Sequence, residues 1–267
     1  MKNNRTKLLD QDYLQAEFPE FTIETHVSLP STQDHLRSKL DTLNKPTVCL
    51  AEQQTAGRGQ YVNRQWASPF AANIYLSYLY FSHKKLHKLE GLSLVVGLAI
   101  VQVIKELGLE VKIKWPNDVF CHDKKLAGIL VEAFNDKEAG SKVIIGIGLN
   151  VNMSKDETQQ ITQAWTSLSN ESGKHYDRNL IVTALMTRLH SDLQRFEQEG
   201  LPGFMAHWQQ SDWLYNKKLT VQFGSEQICG LAKGINEQGH LLLELESGEI
   251  REFVSGQISI KNNRASV

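Results

Sequence analysis

Val111-Lys112-Ile113-Lys114-Trp115-Pro116-Asn117-Asp118 is followed, after a few polar residues, by Lys124-Lys125-Leu126-Ala127-Gly128-Ile129-Leu130-Val131-Glu132. This is two apolar strands joined by a polar loop. Proline at 116 stops the first strand and stiffens its exit, because it has no amide hydrogen to give to a ladder. The strand end thereby presents a cation, an amide and a carboxylate from Lys114, Asn117 and Asp118. Taken alone, a turn with satisfied polar side chains is the simpler account of that run. A lysine at the head of the second strand, followed by the close-packing Gly128, can aim an ammonium into a pocket. For Lys124 a solvated strand end is the simpler reading.

Working outward, residues 23–28 and 47–51 read as strands, and residues 73–81 alternate in the period of a strand. Ser31-Thr32-Gln33-Asp34 can cap a helix ending near residue 43, with a hydroxyl accepting from otherwise unpaired amides. Residues 89–107 have the 3.6-residue spacing of a buried helix (Leu92, Val96, Ala99, Ile100, Val103, Leu107). Glu90, Gln102, Lys105 and Glu106 interrupt that run, which argues against a membrane span. Residues 142–151 form a further strand and 178–199 a long amphipathic helix. Beyond about residue 216 short alternating runs (219–223, 227–235, 240–245, 249–254) are separated by turn residues, the pattern of a small all-β barrel. The expected organisation is a short leader over 1–22, a mixed α/β domain over 23–215 and a β module over 216–267.

A chain of 267 residues can bury one large core plus a small one. With 29 basic against 30 acidic side chains it has no basic excess, so nucleic-acid binding is not expected. Three scattered cysteines, Cys49, Cys121 and Cys229, form no C-x-x-C pair and support neither a disulfide framework nor a zinc ribbon. No apolar stretch at the start resembles a signal peptide. The expectation is a cytoplasmic globular protein with no membrane partner.

Two further clusters carry possible chemistry. Gln53-Gln54-Thr55-Ala56-Gly57-Arg58-Gly59, closing with Arg64-Gln65-Trp66, is a glycine loop with an arginine able to grip an anion bidentately. By itself it is as readily a surface turn, and it matches neither a Walker loop nor G-x-G-x-x-G. Gly146-Ile147-Gly148-Leu149-Asn150 places two glycines in a strand, which signals either close approach of a ligand or backbone, or an ordinary bulge. His83 and His87 lie four apart but sit among lysines, as on a solvated face. His26 and His35 show no partner pattern, and no protein-held metal is expected. Trp165, Trp208 and Trp213 read as core at helix and domain junctions.

In combination and in order, Ser31-Thr32-Gln33, Gln54-Thr55-x-Gly57-Arg58-Gly59, Trp66-x-Ser68-Pro69, Lys114-Trp115-Pro116-Asn117-Asp118 and Lys125-Leu126-Ala127-Gly128-Ile129-Leu130 resemble the biotin–protein ligase family. The resemblance extends over nearly the whole chain beyond residue 23. It implies an α+β fold, with a mixed β-sheet catalytic domain of the biotin/lipoate ligase type and a small C-terminal SH3-like β-barrel. It implies activation of biotin by ATP and Mg²⁺ to biotinyl-5′-AMP. The biotinyl group then passes to a lysine of the biotin carboxyl carrier domain of a carboxylase such as acetyl-CoA carboxylase. No tightly bound cofactor is implied, and either a monomer or a homodimer is compatible.

By family position, Arg58, Lys125, Lys114 and Asp118 are the catalytic set. Biotin falls to Ser31, Thr32, Gln33, Gln54, Gly57, Arg58, Gly59, Gln60, Lys125 and Gly128. The nucleotide falls to Arg58, Arg64, Trp66 (as a wall for adenine), Lys114, Asn117 and Asn150. Two departures stand out. Only about 22 residues precede the catalytic part, fewer than a winged helix–turn–helix needs, so operator binding is not expected. The family loop commonly reads G-R-G-R-x-G-R-x-W, whereas Gln60 stands here at the second arginine and Asn63 at the third glycine, with one residue inserted. Lipoate–protein ligase is the nearest competing reading, and a non-catalytic biotin-binding regulator the competing class.

Overall fold

The computed structural model describes residues 7–60, 65–136, 140–154, 163–256 and 258–261. Its centre is a seven-stranded mixed sheet of β1 (Thr22–His26), β2 (Thr47–Ala51), β3 (Ile74–Ser82), β4 (Lys112–Lys114), β5 (Asp118–Cys121), β6 (Lys124–Asp136) and β7 (Gly140–Leu149). The strand order is β1-β2-β3-β7-β6-β5-β4. Only the β1–β2 pair is parallel. The crossover between those two strands is made by α2 (Thr32–Ser38), as a parallel pair requires.

The sheet has two unequal faces. α3 (Leu92–Glu106) and α5 (Arg178–Glu199) cover one, where Val48, Leu50, Tyr78, Ile145 and Ile147 join the main core. The apolar stripe of α3 is so wide that eleven of its fifteen residues are buried, which explains its near-continuous hydrophobicity. α2 roofs the other face, where Leu36 meets Cys49, Leu79 and Ile144 in a small separate cluster. α2 reaches only to the middle of the sheet, and the uncovered half of that face is the floor of a cleft.

Strands and long helices fall within a few residues of their sequence-predicted positions. The predicted helix over 32–43 stops at Ser38, and β5 is a strand the apolar periodicity did not separate from its flanking loop. The leader expected over 1–22 is, from residue 7, part of the main core. α1 (Gln11–Glu17), capped by Asp10, packs Leu9, Leu14 and Phe18 into it. It is also tied down through Arg178 Nη2, which donates to Lys7 O at 3.0 Å, and Leu9 N, which donates to Glu52 Oε1 at 2.5 Å. Three apolar anchors in ten residues are enough for docking, yet too few to show a clear period.

Short helices α4 (Leu168–Ser172) and α6 (Met205–Ser211) lead to β8 (Lys218–Phe223), β9 (Glu226–Ile235), β10 (Leu241–Glu244), β11 (Ile250–Phe253) and β12 (Ile258–Lys261). These form a five-stranded antiparallel sheet in the order β11-β10-β9-β8-β12. β11 and β12 lie at opposite ends of that order, so among the described residues the strand ladder does not close. The module is a small curled sheet where the sequence predicts a barrel. It is anchored beside the catalytic domain by Trp115, buried, whose Nε1 donates to Gly239 O at 2.9 Å. No helix among the described residues is long and apolar enough to cross a membrane.

Candidate active site

Two cross-strand rows pave the cleft floor. In the register of the sheet, Ser77 opposes Gly146, which opposes Leu130. Two residues along, Tyr75 opposes Gly148, Gly148 opposes Gly128, and Gly128 opposes Asp118. Three glycines therefore meet on one face. A Cβ at Gly146 would stand 2.6 Å from Gln33 Oε1, and one at Gly128 would stand 2.7 Å from the Trp66 ring. A Cβ on Gly148 would run into that same ring. The sequence reading left ligand, backbone and bulge open for this strand. In the structure, side chains of this chain fill the space the glycines clear.

The roof begins at Ser31, whose extended backbone and side chain accepting from Asp34 N at 3.3 Å cap α2. The cap points the first turn into the cleft. Thr32 N and Oγ1 both donate to Gln54 Oε1, at 2.8 and 3.1 Å, and Thr32 Oγ1 lies 2.8 Å from Ser77 Oγ. Ser77 Oγ donates to Gln33 Oε1 at 3.1 Å, and Gln33 Nε2 donates to Glu132 Oε2 at 2.9 Å. Ser31, Thr32 and Gln33 are all buried. A chain of alternating donors and acceptors thus lines one end of a cleft of about 470 Å³.

Two cations, Arg58 and Lys125, complete the lining. Arg58 Nη1 donates to Asp34 Oδ1 at 2.8 Å, and Nη2 donates to Glu132 Oε1 at 3.0 Å. Burial works against its charge, but the bonds to Glu132 and Asp34 outweigh it and hold the guanidinium pKa above its ordinary value. Lys125 Nζ sits 2.6 Å from Asp118 Oδ1 and 5.2 Å from the centre of the Trp66 ring. Trp66 closes the glycine loop by donating its amide to Gly57 O at 2.9 Å. A side chain at Gly57 would strike Trp66 O, Gln54 Nε2 and Ser68 Oγ. The buried Trp66 Nε1 has no hydrogen-bond partner among the described residues.

Of the sequence-predicted residues, Ser31, Thr32, Gln33, Gln54, Arg58, Gly59, Gln60, Trp66, Asn117, Asp118, Lys125 and Gly128 line this one cleft, and Gly57 backs its loop. Asn117 Nδ2 donates to Ile129 O at 2.8 Å and ties the 116–118 loop to β6. Two residues are not brought to it. Lys114 lies over Phe120 and Trp213, at 5.1 and 5.4 Å, and is the direct cross-strand partner of Asp118 in the β4–β5 hairpin. Asn150 is buried beside the cleft, donating to Thr166 O at 2.9 Å and lying 3.4 Å from Asn73 Nδ2. Arg64 lies outside the described residues.

Sequence reasoning missed Ser77, Asp34 and Glu132. The signal for two of them was present: Ser77 and Glu132 are polar residues inside otherwise apolar strands. It also missed that His26 and His35 come together, with Glu24 and Cys49, through packing of α2 on β1 and β2.

The cleft can bind an anionic carboxylate beside a phosphate, next to an apolar slot with a polar end. Residues 26–150 match the model of the biotin/lipoate A/B protein ligase family, and residues 216–261 that of the biotin protein ligase C-terminal domain. The chain is 37% identical over 235 residues to the bifunctional ligase/repressor BirA of Escherichia coli, spanning 88% of this chain and 72% of that protein. It is 32% identical over 204 residues to the biotin–[acetyl-CoA-carboxylase] ligase of Mycobacterium tuberculosis, spanning 74% and 73%. The biotin protein ligase of Aquifex aeolicus, solved in complex with biotin and ATP, superposes with a TM-score of 0.76 at 28% identity, over 90% of this chain and 98% of that one.

Proposed function

This chain belongs to the biotin/lipoate A/B protein ligase family, and from that membership and the cleft's geometry we infer that it is a biotin–protein ligase. It binds biotin and ATP, forms biotinyl-5′-AMP, and transfers the biotinyl group to a lysine of a carrier domain. The observation that carries this reading is the meeting of Arg58 and Lys125 in one cleft, beside a donor–acceptor chain over a glycine floor.

The chemistry joins two anions. A carboxylate oxygen of biotin attacks the α-phosphorus of ATP and pyrophosphate leaves. The carrier lysine nitrogen then attacks the acyl carbon, AMP leaves, and the nitrogen sheds a proton. Lys125, oriented by Asp118, supplies positive charge where negative charge builds on the α-phosphate, and Arg58 neutralises the carboxylate. Preorganised donors of this kind contribute about 10²–10³ each in rate. For Arg58 to act on substrate it must exchange Asp34 or Glu132 for the incoming anion.

The ureido ring needs both donors and acceptors, and the Thr32–Gln54–Ser77–Gln33 chain offers both. The valeryl chain fits along Gly128, Ile129 and Leu130. Trp66, stacked on bare backbone at Gly128 and Gly148, is the wall for the nucleotide. Mg²⁺ enters as the counter-ion of ATP. The three carboxylates at the cleft, Asp34, Glu132 and Asp118, are already paired with cations, so phosphate oxygens and water are its fitting ligands. The acceptor is the biotin carboxyl carrier domain of a carboxylase, and the compartment is the cytoplasm, in keeping with three unpaired cysteines.

Adding biotin and ATP to the purified chain should release pyrophosphate, and labelled biotin should then appear on an added carrier domain. Silence in both assays, or preferential transfer of lipoate, would overturn the reading.

A further inference from the structure

The outer half of the sheet face under α2 carries a second cluster of chemical groups. Glu24 on β1 is directly opposed by Cys49 on β2, and Cys49 is opposed by Ser77 on β3. Glu24, Cys49, Ser77, Gly146 and Leu130 therefore form one continuous row from the sheet edge to the cleft floor. His26, two residues beyond Glu24, points to the same face by the two-residue period of a strand. His35 descends onto it from α2.

Glu24 Oε2 lies 2.6 Å from His35 Nε2 and 3.6 Å from His26 Nε2, and the two imidazole rings meet edge to face at 4.7 Å. With the Cys49 sulfur these four ligand atoms all fall within 4.8 Å of one another. His26 Nε2 is buried and has no hydrogen-bond partner among the described residues, an expense a folded protein ordinarily avoids. Cys49 is fully buried, and burial followed by the nearby Glu24 carboxylate pushes its thiol up to about 12. Neither group is used by the ligase chemistry.

We propose that Glu24, His26, His35 and Cys49 form a structural zinc site that pins α2 to the edge of the sheet. One thiolate, two imidazoles and a carboxylate are a four-ligand set of the kind Zn²⁺ takes tetrahedrally. Ligands bound at about 2.0–2.3 Å stand roughly 3.5 Å apart, so closure needs shifts on the order of an ångström. Binding expels the thiol proton to solvent, since the metal takes the thiolate. It also displaces Lys39, whose Nζ lies 3.2 Å from both Glu24 oxygens but is 40% exposed and free to swing into water. Four protein ligands leave no open position, so the site holds structure and does no hydrolysis. Its placement matters because the same short helix carries Ser31, Thr32 and Gln33 at its other end.

The test is a titration of the intact, chelator-stripped chain with Zn²⁺ alone, against a chromophoric chelator and without ATP. One zinc per chain is expected, with a rise in Tm. Co²⁺ in its place should give a thiolate-to-metal charge-transfer band. Loss of outer contacts to a metal ligand typically weakens binding about 10–100-fold, so His26→Gln and Cys49→Ser should each weaken it by at least that much. His26→Gln is conservative and partly exposed, which guards against misfolding of the cysteine variant. Cys121→Ser controls for a second cluster, Cys121, His122 and Glu171. Absence of stoichiometric binding, binding indifferent to His26→Gln, or binding lost in Cys121→Ser overturns the proposal.

Discussion

Lys125 Nζ and Asp118 Oδ1 stand 2.6 Å apart, beside the bare backbone of Gly128. Gly128 is cross-strand partner to Asp118, and a Cβ there would press on Lys125 Cε at 3.2 Å. If Lys125 carries phosphate charge, Lys125→Ala should slow pyrophosphate release by about 10²–10³. Asp118→Asn keeps the shape and should lose less. Near-normal turnover in Lys125→Ala would remove its role.

Gly146→Ala places a methyl against Gln33 Oε1 and must dislodge Gln33 from Ser77 and Glu132. Losing a hydrogen bond net worth about 1–1.5 kcal/mol predicts a rise of roughly tenfold in KM for biotin, with kcat little changed. Steady-state kinetics at saturating ATP reads it. A fall in kcat at constant KM would contradict the assignment.

Gln60 Nε2 donates to Ser255 Oγ of the C-terminal module at 3.3 Å, a neutral contact where the family resemblance implies an arginine. Gln60→Arg should slow escape of biotinyl-5′-AMP in the absence of acceptor. Rapid filtration with labelled biotin measures the release rate, and an unchanged rate would show that this position does not govern retention.

Arg178 and Glu52 form a buried ion pair at 2.6 Å, both at most 5% exposed, that also binds the backbone at Lys7, Leu9 and Asn73. Removing one partner strands the other charge. Arg178→Ala should therefore destabilise the fold by about 3–5 kcal/mol in denaturant unfolding. A change below about 1 kcal/mol, the range of an exposed pair, would mean that water reaches Glu52.

Burial raises the Glu24 carboxyl, but its bonds to His35 and Lys39 outweigh that and leave its pKa below the ordinary 4.5. A depressed carboxylate contributes stability above its unfolded pKa and loses it as pH falls through the lower folded value. In chelator, Glu24→Gln should be less stable than the parent by about 1 kcal/mol at pH 7, a modest figure for a pair partly open to water. The gap should close below pH 4.5. A gap constant with pH would assign the effect to packing.

What could be read in the sequence was local. The motifs around Arg58, Asp118 and Lys125 lie within a few residues of a glycine or proline that constrains the backbone, so type and spacing announced them. The long strands and helices declared their period. β5 did not, being four residues of a hairpin whose apolar signal merges with its neighbours. Nor did Glu132 or the Glu24–His26–His35–Cys49 cluster. Their partners arrive from across the sheet, Gln33 and Arg58 being 99 and 74 residues away from Glu132. Lys114 carries the same motif signal, and in the structure it lies over Phe120 and Trp213 opposite Asp118 rather than in the cleft lining.

The ion pairs that hold Arg58 and Lys125 have a further consequence for how ligands arrive. Three cations, Arg37, Arg58 and Lys125, stand among Asp34, Glu132 and Asp118, so the charges cancel there. Beyond a Debye length, about 8 Å at physiological ionic strength, such a group projects almost no attraction. An anion is not drawn in from solution. It arrives by diffusion and is held only by trading places with a carboxylate already seated there. Selectivity is thus exercised on contact, by whether the newcomer fits better than the protein's own anions.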